Sequence, residues 1–214
     1  MNIITIGGAT PVPEMPHQHI YCPSMTGLTA RLADATFLMP RIDQNQHVKD
    51  TNGHGHWAAA LAADPFGSTN AHFNALAEAG YAGVVNWPSS ILLEGQTQQQ
   101  MSTIPATPAA EYAYLAKAQQ IGLRTLGFIL TPDHAANALA VGVRDLVLHP
   151  GILMDVDNAV AAMIRGAMTS IITSVKRSDK NATVRLYTSN WHDQMIGLSD
   201  VACDGFVRFE ENGQ

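Results

Sequence analysis

Three residues combine a reactive side chain with a setting that could use it: Asp64, Glu94 and His149. Asp64 follows the apolar run 58–63 and opens Asp64-Pro65-Phe66. A carboxylate at the C-terminal end of a buried strand can bind a divalent metal or act as a general base. It can equally cap the helix that follows, near Ser68. Glu94 closes the stretch Asn86-Trp87-Pro88-Ser89-Ser90-Ile91-Leu92-Leu93-Glu94 and offers a second acid, although Glu94-Gly95 also reads as an ordinary turn. In the same stretch Asn86, Ser89 and Ser90 can hydrogen-bond a carboxylate or phosphate, with Trp87 as a wall. The alternative is a turn fixed by Pro88, with Trp87 as packing. His149 follows three apolar residues and precedes Pro150-Gly151, so its imidazole can be an acid/base group or a metal ligand, or a core histidine bonded to backbone. Thr188 and Asn190 lie in Thr188-Ser189-Asn190-Trp191-His192-Asp193, a position where barrels often bind phosphate, but without the glycines that let amides approach one. The expected site is therefore Asp64, His149 and Glu94 for catalysis and Asn86, Trp87, Ser89, Ser90, Thr188 and Asn190 for substrate, with Asp64 and Glu94 also as metal ligands.

These residues need strands that end together. Eight strand candidates occur, at 3–6 or 19–22 (one of which is strand one), 36–39, 57–62, 82–85, 124–130, 145–148, 183–187 and 205–209. Most are continuous apolar runs, as expected for parallel strands covered on both faces. Helical patterns alternate with them: 69–80; 108–122, opened by a proline after Thr107 and closed by a glycine; 132–142, with Thr131 as N-cap; and 155–178, with Val156, Val160, Met163, Ile164 and Ile171 on its buried side. Alternating strands and helices predict an α/β fold, and eight strands predict closure into a single (β/α)8 TIM-type barrel over residues 1–214. Segments 7–23 and 42–56 read as long loops, which makes the N-terminal third irregular. Residue 209 lies five residues from the end of this sequence, so no eighth helix is expected after the last strand, and that groove is expected to be covered by the N-terminal segment or by another subunit, or left open.

Composition narrows the function classes. A chain of 214 residues that is 46% hydrophobic can bury one substantial core. Its net charge of −6, with 14% charged residues, gives no footprint for nucleic acid. Two cysteines, Cys22 and Cys203, imply no disulfide framework and make a reducing cytoplasm the expectation. No apolar run approaches the ~20 residues of a membrane helix. P-loop, Gly-x-Gly-x-x-Gly, Gly-x-Ser-x-Gly and Cys-x-x-Cys motifs are absent, so neither a nucleotide nor a dinucleotide cofactor is expected.

From about Trp57 to Phe209 the order of motifs resembles the phosphoenolpyruvate-hydrolase-like TIM-barrel family, whose barrel also forms the C-terminal part of Tm-1-like proteins. The matching pieces are Asp64-Pro65-Phe66, Gly83-Val84-Val85-Asn86-Trp87-Pro88 with Leu93-Glu94-Gly95, Glu111 with 118–125, Asp145-Leu146-Val147-Leu148-His149-Pro150-Gly151, and Cys203-Asp204-Gly205-Phe206-Val207. Thr26-Gly27-Leu28-Thr29-Ala30 is similar to the family's first strand–helix turn, which would make 19–22 strand one. Ile152-Leu153-Met154-Asp155 replaces the family's glycine-rich segment, and 187–191 replaces its Cys-His-Gly-Gly-Pro. The resemblance implies hydrolase or lyase chemistry on a small anionic metabolite of the phosphoenolpyruvate or 2-oxoacid type, with Mg²⁺ or another divalent metal. A homo-oligomer is expected as well. The replaced loops favour a rival reading, a non-catalytic barrel that binds a ligand or a protein. A metal-dependent amidohydrolase-like site fits less well: His17-Gln18-His19 and His54-Gly55-His56 have the pairing, but the later metal ligands are not in place.

Overall fold

The computed structural model describes residues 3–38, 41–64, 69–104, 106–154 and 156–211. Eight parallel strands close into a barrel in chain order. They are β1 (Ile3–Gly7), β2 (His19–Tyr21), β3 (Trp57–Ala60), β4 (Gly83–Asn86), β5 (Arg124–Ile129), β6 (Asp145–Leu148), β7 (Thr183–Thr188) and β8 (Gly205–Phe209). Closure is made by β1 against β8, in register from Ile3↔Phe206 to Ile6↔Phe209. Side chains alternate between two layers. Ile6, Ile20, Trp57, Ala59, Val85, Leu126, Phe128, Val147 and Val207 fill the barrel, whereas Ala58, Ala60, Val84, Leu146, Leu148 and Leu186 face the surrounding helices. Trp57 needs its neighbour on β4 to be glycine, because a Cβ on Gly83 would stand 2.5 Å from the indole.

The helices are α1 (Ala30–Ala33), α2 (Gln44–Lys49), α3 (Asn70–Glu78), α4 (Gly95–Met101), α5 (Pro108–Gln120), α6 (Pro132–Ala140), α7 (Asn158–Ser178) and α8 (Asn190–Ile196). Thr69, Thr107, Thr131, Asp157 and Ser189 each cap one by accepting an N–H. Among the described residues no helix follows β8, and none is long and apolar enough to cross a membrane.

Several expectations need correction. Segments 3–7 and 19–21 are both strands, so neither stands in for the other. Residues 36–38 form turns, because Thr36 Oγ1 and N–H bond the Ala33 carbonyl and Leu38 N–H bonds that of Ala35, continuing α1; Met39 lies outside the described residues. The loop 42–56 contains α2, capped by Asp43, and the stretch after β7 contains α8. On α7 the buried face is Ala161, Met168, Ile171, Ile172 and Val175, leaving Val160 and Met163 exposed. The expected phase followed the larger side chains and not the 3.6-residue period through the small ones. The outer face of β1 and β2 carries the 8–18 loop in place of a helix. His19 Nε2 bonds the Ala9 carbonyl and His56 Nε2 that of Val12, while His19 N–H donates to His56 Nδ1.

Candidate active site

The C-terminal ends of β4 to β7 hold two polar networks. The first is built on Glu111 of α5, which is fully buried. Its carboxylate accepts from Asn86 Nδ2 at 2.8 Å, Ser89 Oγ at 2.5 Å and Ser90 N–H at 2.7 Å. Burial raises the Glu111 pKa, and the bonds from Ser89, Ser90 and Asn86 oppose the rise. Asn86 Oδ1 accepts from Phe128 N–H at 2.7 Å, tying β4 to β5. Asn86 and Ser89 are thus engaged within the protein and fix the loop that presents Trp87.

The second network lies beside Trp87. The rings of Trp87, His149 and Tyr187 form a triangle of near-parallel rings, with centroids 5.3 Å apart for Trp87–His149, 4.5 Å for His149–Tyr187 and 5.6 Å for Trp87–Tyr187. Against its edge lies Asp34, at the C-terminal end of α1, 4% exposed. Asp34 Oδ1 is 3.3 Å from His149 Nε2, and Oδ2 is 3.7 Å from His192 Nε2. The turn after β6 sets the tautomer. Gly151, at a φ of 92°, aims its N–H at His149 Nδ1 from 3.0 Å. Nδ1 is therefore the acceptor, and the ring proton of neutral His149 sits on Nε2, facing Asp34. Ser189, the α8 cap, lies 2.7 Å from His192 Nδ1 and orients that ring.

The electrostatics follow from burial and proximity. Burial pushes the Asp34 carboxyl upward, but His149 and His192 outweigh it and hold the pKa at about 2. Burial lowers the His149 pKa against the pull of Asp34. Burial, with the Asp34 charge, drives the Tyr187 phenol far above its ordinary range. The Cys22 thiol, fully buried after β2, is pushed up to about 12, which leaves it protonated and inert. Trp87 Nε1 and Tyr187 OH are buried with no hydrogen-bond partner among the described residues, and His192 Nε2 has only its 3.7 Å contact with Asp34 Oδ2. A buried polar group left unpaired costs about 1–3 kcal/mol, so these atoms are candidates to meet a ligand or a water.

The other expected residues lie elsewhere. Asp64 accepts from Asn45 Nδ2 at 2.9 Å and lines a groove of about 580 Å³ between α2 and α3, with Lys49 and His72. Pro65 and Phe66 fall outside the described residues. Glu94 is exposed at the start of α4. Ser90 contributes its backbone N–H to Glu111, and its buried hydroxyl has no hydrogen-bond partner within bonding distance among the described residues. Thr188 Oγ1 donates to Asp193 Oδ1, and Arg208 bridges Asp193 and Asn190, a separate rim network. Of the expected set, then, only Trp87 and His149 meet at the second network. Asp34 and Tyr187 were missed, and His192 was weighed only as part of the possible phosphate-binding stretch 188–193. The available signal for Asp34 was a lone acid within the otherwise uncharged or basic stretch 26–39.

Mg²⁺ asks for octahedral oxygen ligands and usually takes one or two carboxylates. Among the described residues the cluster at His149 and His192 offers one carboxylate, Asp34, between two imidazoles, since Glu111 is occupied by its three donors. No group of three or more His, Cys, Asp or Glu able to hold a metal occurs among the described residues. This donor set does not fit Mg²⁺.

The chain is similar to several known proteins. The uncharacterized protein y4oT of Sinorhizobium fredii is 28% identical over 151 residues, 68% of this chain and 77% of its own. The ToMV resistance protein Tm-1 of Solanum lycopersicum is 26% identical over 130 residues, 61% of this chain but 17% of that protein. A crystal structure from Burkholderia cenocepacia, provisionally described as a lyase/mutase, aligns over 98% of this chain and 76% of its own at 12% identity and a TM-score of 0.49. The profile of the phosphoenolpyruvate hydrolase-like family matches residues 42–186, more than half of the sequence. The chain belongs to the phosphoenolpyruvate hydrolase-like family.

Proposed function

We propose that the protein is an enzyme acting on a small anionic substrate of the phosphoenolpyruvate or 2-oxoacid type at the C-terminal mouth of the barrel. One observation carries this reading: a buried carboxylate, Asp34, set between two histidines, with two buried donors, Trp87 Nε1 and Tyr187 OH, lacking a hydrogen-bond partner beside it. Family membership supports the substrate class and a hydrolase or lyase reaction. In this scheme Tyr187 OH and Trp87 Nε1 donate to the oxygens of the substrate's anionic group. His192 exchanges a proton at Nε2, the ring nitrogen that faces Asp34, while Ser189 holds its Nδ1. Asp34, ionised because its pKa lies near 2, stabilises the imidazolium that forms. His149, with both nitrogens engaged, positions Asp34. No step is routed through a metal.

A second reading has an observation of its own. Trp87, His149 and Tyr187 are 0–1% exposed, so the three rings close the mouth, as a binding module without turnover would have it. A thermal-shift screen of small carboxylates and phosphates, with and without Mg²⁺, followed by turnover assays on each hit, separates the readings. A ligand at 100 times its Kd adds about 2.7 kcal/mol, roughly 5–11 °C for a chain of this size. Stabilisation with turnover supports the enzyme, and stabilisation alone supports the module. No stabilisation by any small anion overturns both.

A further inference from the structure

The chemistry at the mouth does not use the outward face of α7, and that face is unusual for a helix in water. From Asn158 to Ser174 it carries one charged residue, Arg165, which is half-buried and donates to the Ile196 carbonyl. Ala159, Ala162, Met163, Gly166, Ala167 and Ser170 face solvent. Thr169 and Thr173 turn their hydroxyls onto the carbonyls of Arg165 and Thr169, so their methyl groups face outward. Met163 is 68% exposed, and Ile152 and Met154 border the helix start at 53% and 71%. With Val160, 37% exposed, these side chains leave apolar surface in water, and functional patches typically cover ~300–600 Å². A standard interface buries about 800 Å² per partner, a little over half of it apolar.

We propose that this face docks a second copy of the same chain, α7 packing antiparallel on its two-fold mate around Gly166 and Ala167. Three features select that occupant. A Cβ added at Gly166 would meet nothing within 4 Å, so the centre of the face is open to close approach by another helix. In antiparallel register Met163 of each copy lies over Ser170 of the other, a large side chain on a small one. The same register sets the exposed Asp157, at the N-terminal end, opposite the half-buried Lys176 of the mate, and the two are opposite in charge. The face is therefore complementary to itself, as an isologous contact requires. Elsewhere two copies, each with a net charge of −6, repel, and a neutral face is where they approach most cheaply.

Sedimentation or light scattering on the full chain up to about 100 µM, above the Kd range of standard interfaces, tests this. The expected result is a dimer for the unmodified chain. Gly166→Glu fills open space on a helix and removes a poor helix former, so the fold is retained. It and Met163→Glu should raise the dimer Kd at least about thirtyfold, the equivalent of a 2 kcal/mol hot-spot loss. Native circular dichroism in both variants keeps the comparison valid. A monomer at every concentration, or a Gly166→Glu variant that still dimerises like the unmodified chain, overturns the proposal.

Discussion

Replacing Glu111 by alanine should destabilise the protein more than most single core truncations, and the amount follows from its partners. The carboxylate takes three donors inside the core. Alanine would leave Asn86 Nδ2, Ser89 Oγ and Ser90 N–H without it, and a buried unpaired group costs about 1–3 kcal/mol. Allowing for partial relaxation and the small cavity, the loss is about 4 kcal/mol. For a chain of this size that lowers Tm by roughly 8–16 °C. Glu111→Gln keeps the volume and one acceptor oxygen, so one donor is opposed by the new amide and the loss falls to about 1–3 kcal/mol. Because Asn86 also accepts from Phe128 N–H, the alanine variant should loosen the packing of Trp87 on His149 and Tyr187, visible in near-ultraviolet circular dichroism. Calorimetry on both variants is the assay. A Glu111→Ala Tm equal to that of the unmodified chain, or a glutamine variant less stable than the alanine one, would refute the reasoning.

Other expectations are simpler to check. Asp64→Asn keeps a group able to accept from Asn45, and Asp64 lines a groove apart from the Asp34 cluster, so Tm and any ligand response of the mouth should stay unchanged; loss of turnover in a folded variant would return Asp64 to the chemistry. Burial depresses His72 to about 4, with Lys49 adding to the effect, so the unfolded chain takes up a proton before the folded one as pH falls below about 6.5. That share of stability is present above pH 6.5 and is lost towards pH 4; denaturant titrations should show a shallower acid decline in His72→Gln. Gly83→Ala should unseat Trp57, because the new methyl group would also lie 2.7 Å from the Arg124 carbonyl, and Tm should drop by several degrees.

The barrel was legible because its strands are short apolar runs and its helices carry their caps in sequence: Thr69, Thr107 and Thr131 each start a helix where expected. The N-terminal third was harder. His19-Ile20-Tyr21 is a strand of three residues, too short to show a period, and α1 is one turn long. At the site, sequence could place His149 and Trp87 at strand ends, since Pro150-Gly151 and Pro88 mark where those strands stop. It could not show that Asn86 and Ser89 turn towards Glu111, nor that Asp34 reaches His149 across 115 positions of chain. Such pairings are properties of barrel closure, which sequence spacing does not encode.

The central claim is that Asp34 and its two histidines form the reacting centre. Comparing Asp34→Asn with the unmodified chain tests it most directly, in a turnover assay on the anion selected by the thermal-shift screen. The substitution keeps the volume and removes the charge. The account predicts a folded variant whose turnover falls at least about a hundredfold, the lower end of what acid–base groups contribute. A folded Asp34→Asn protein with undiminished turnover would contradict it.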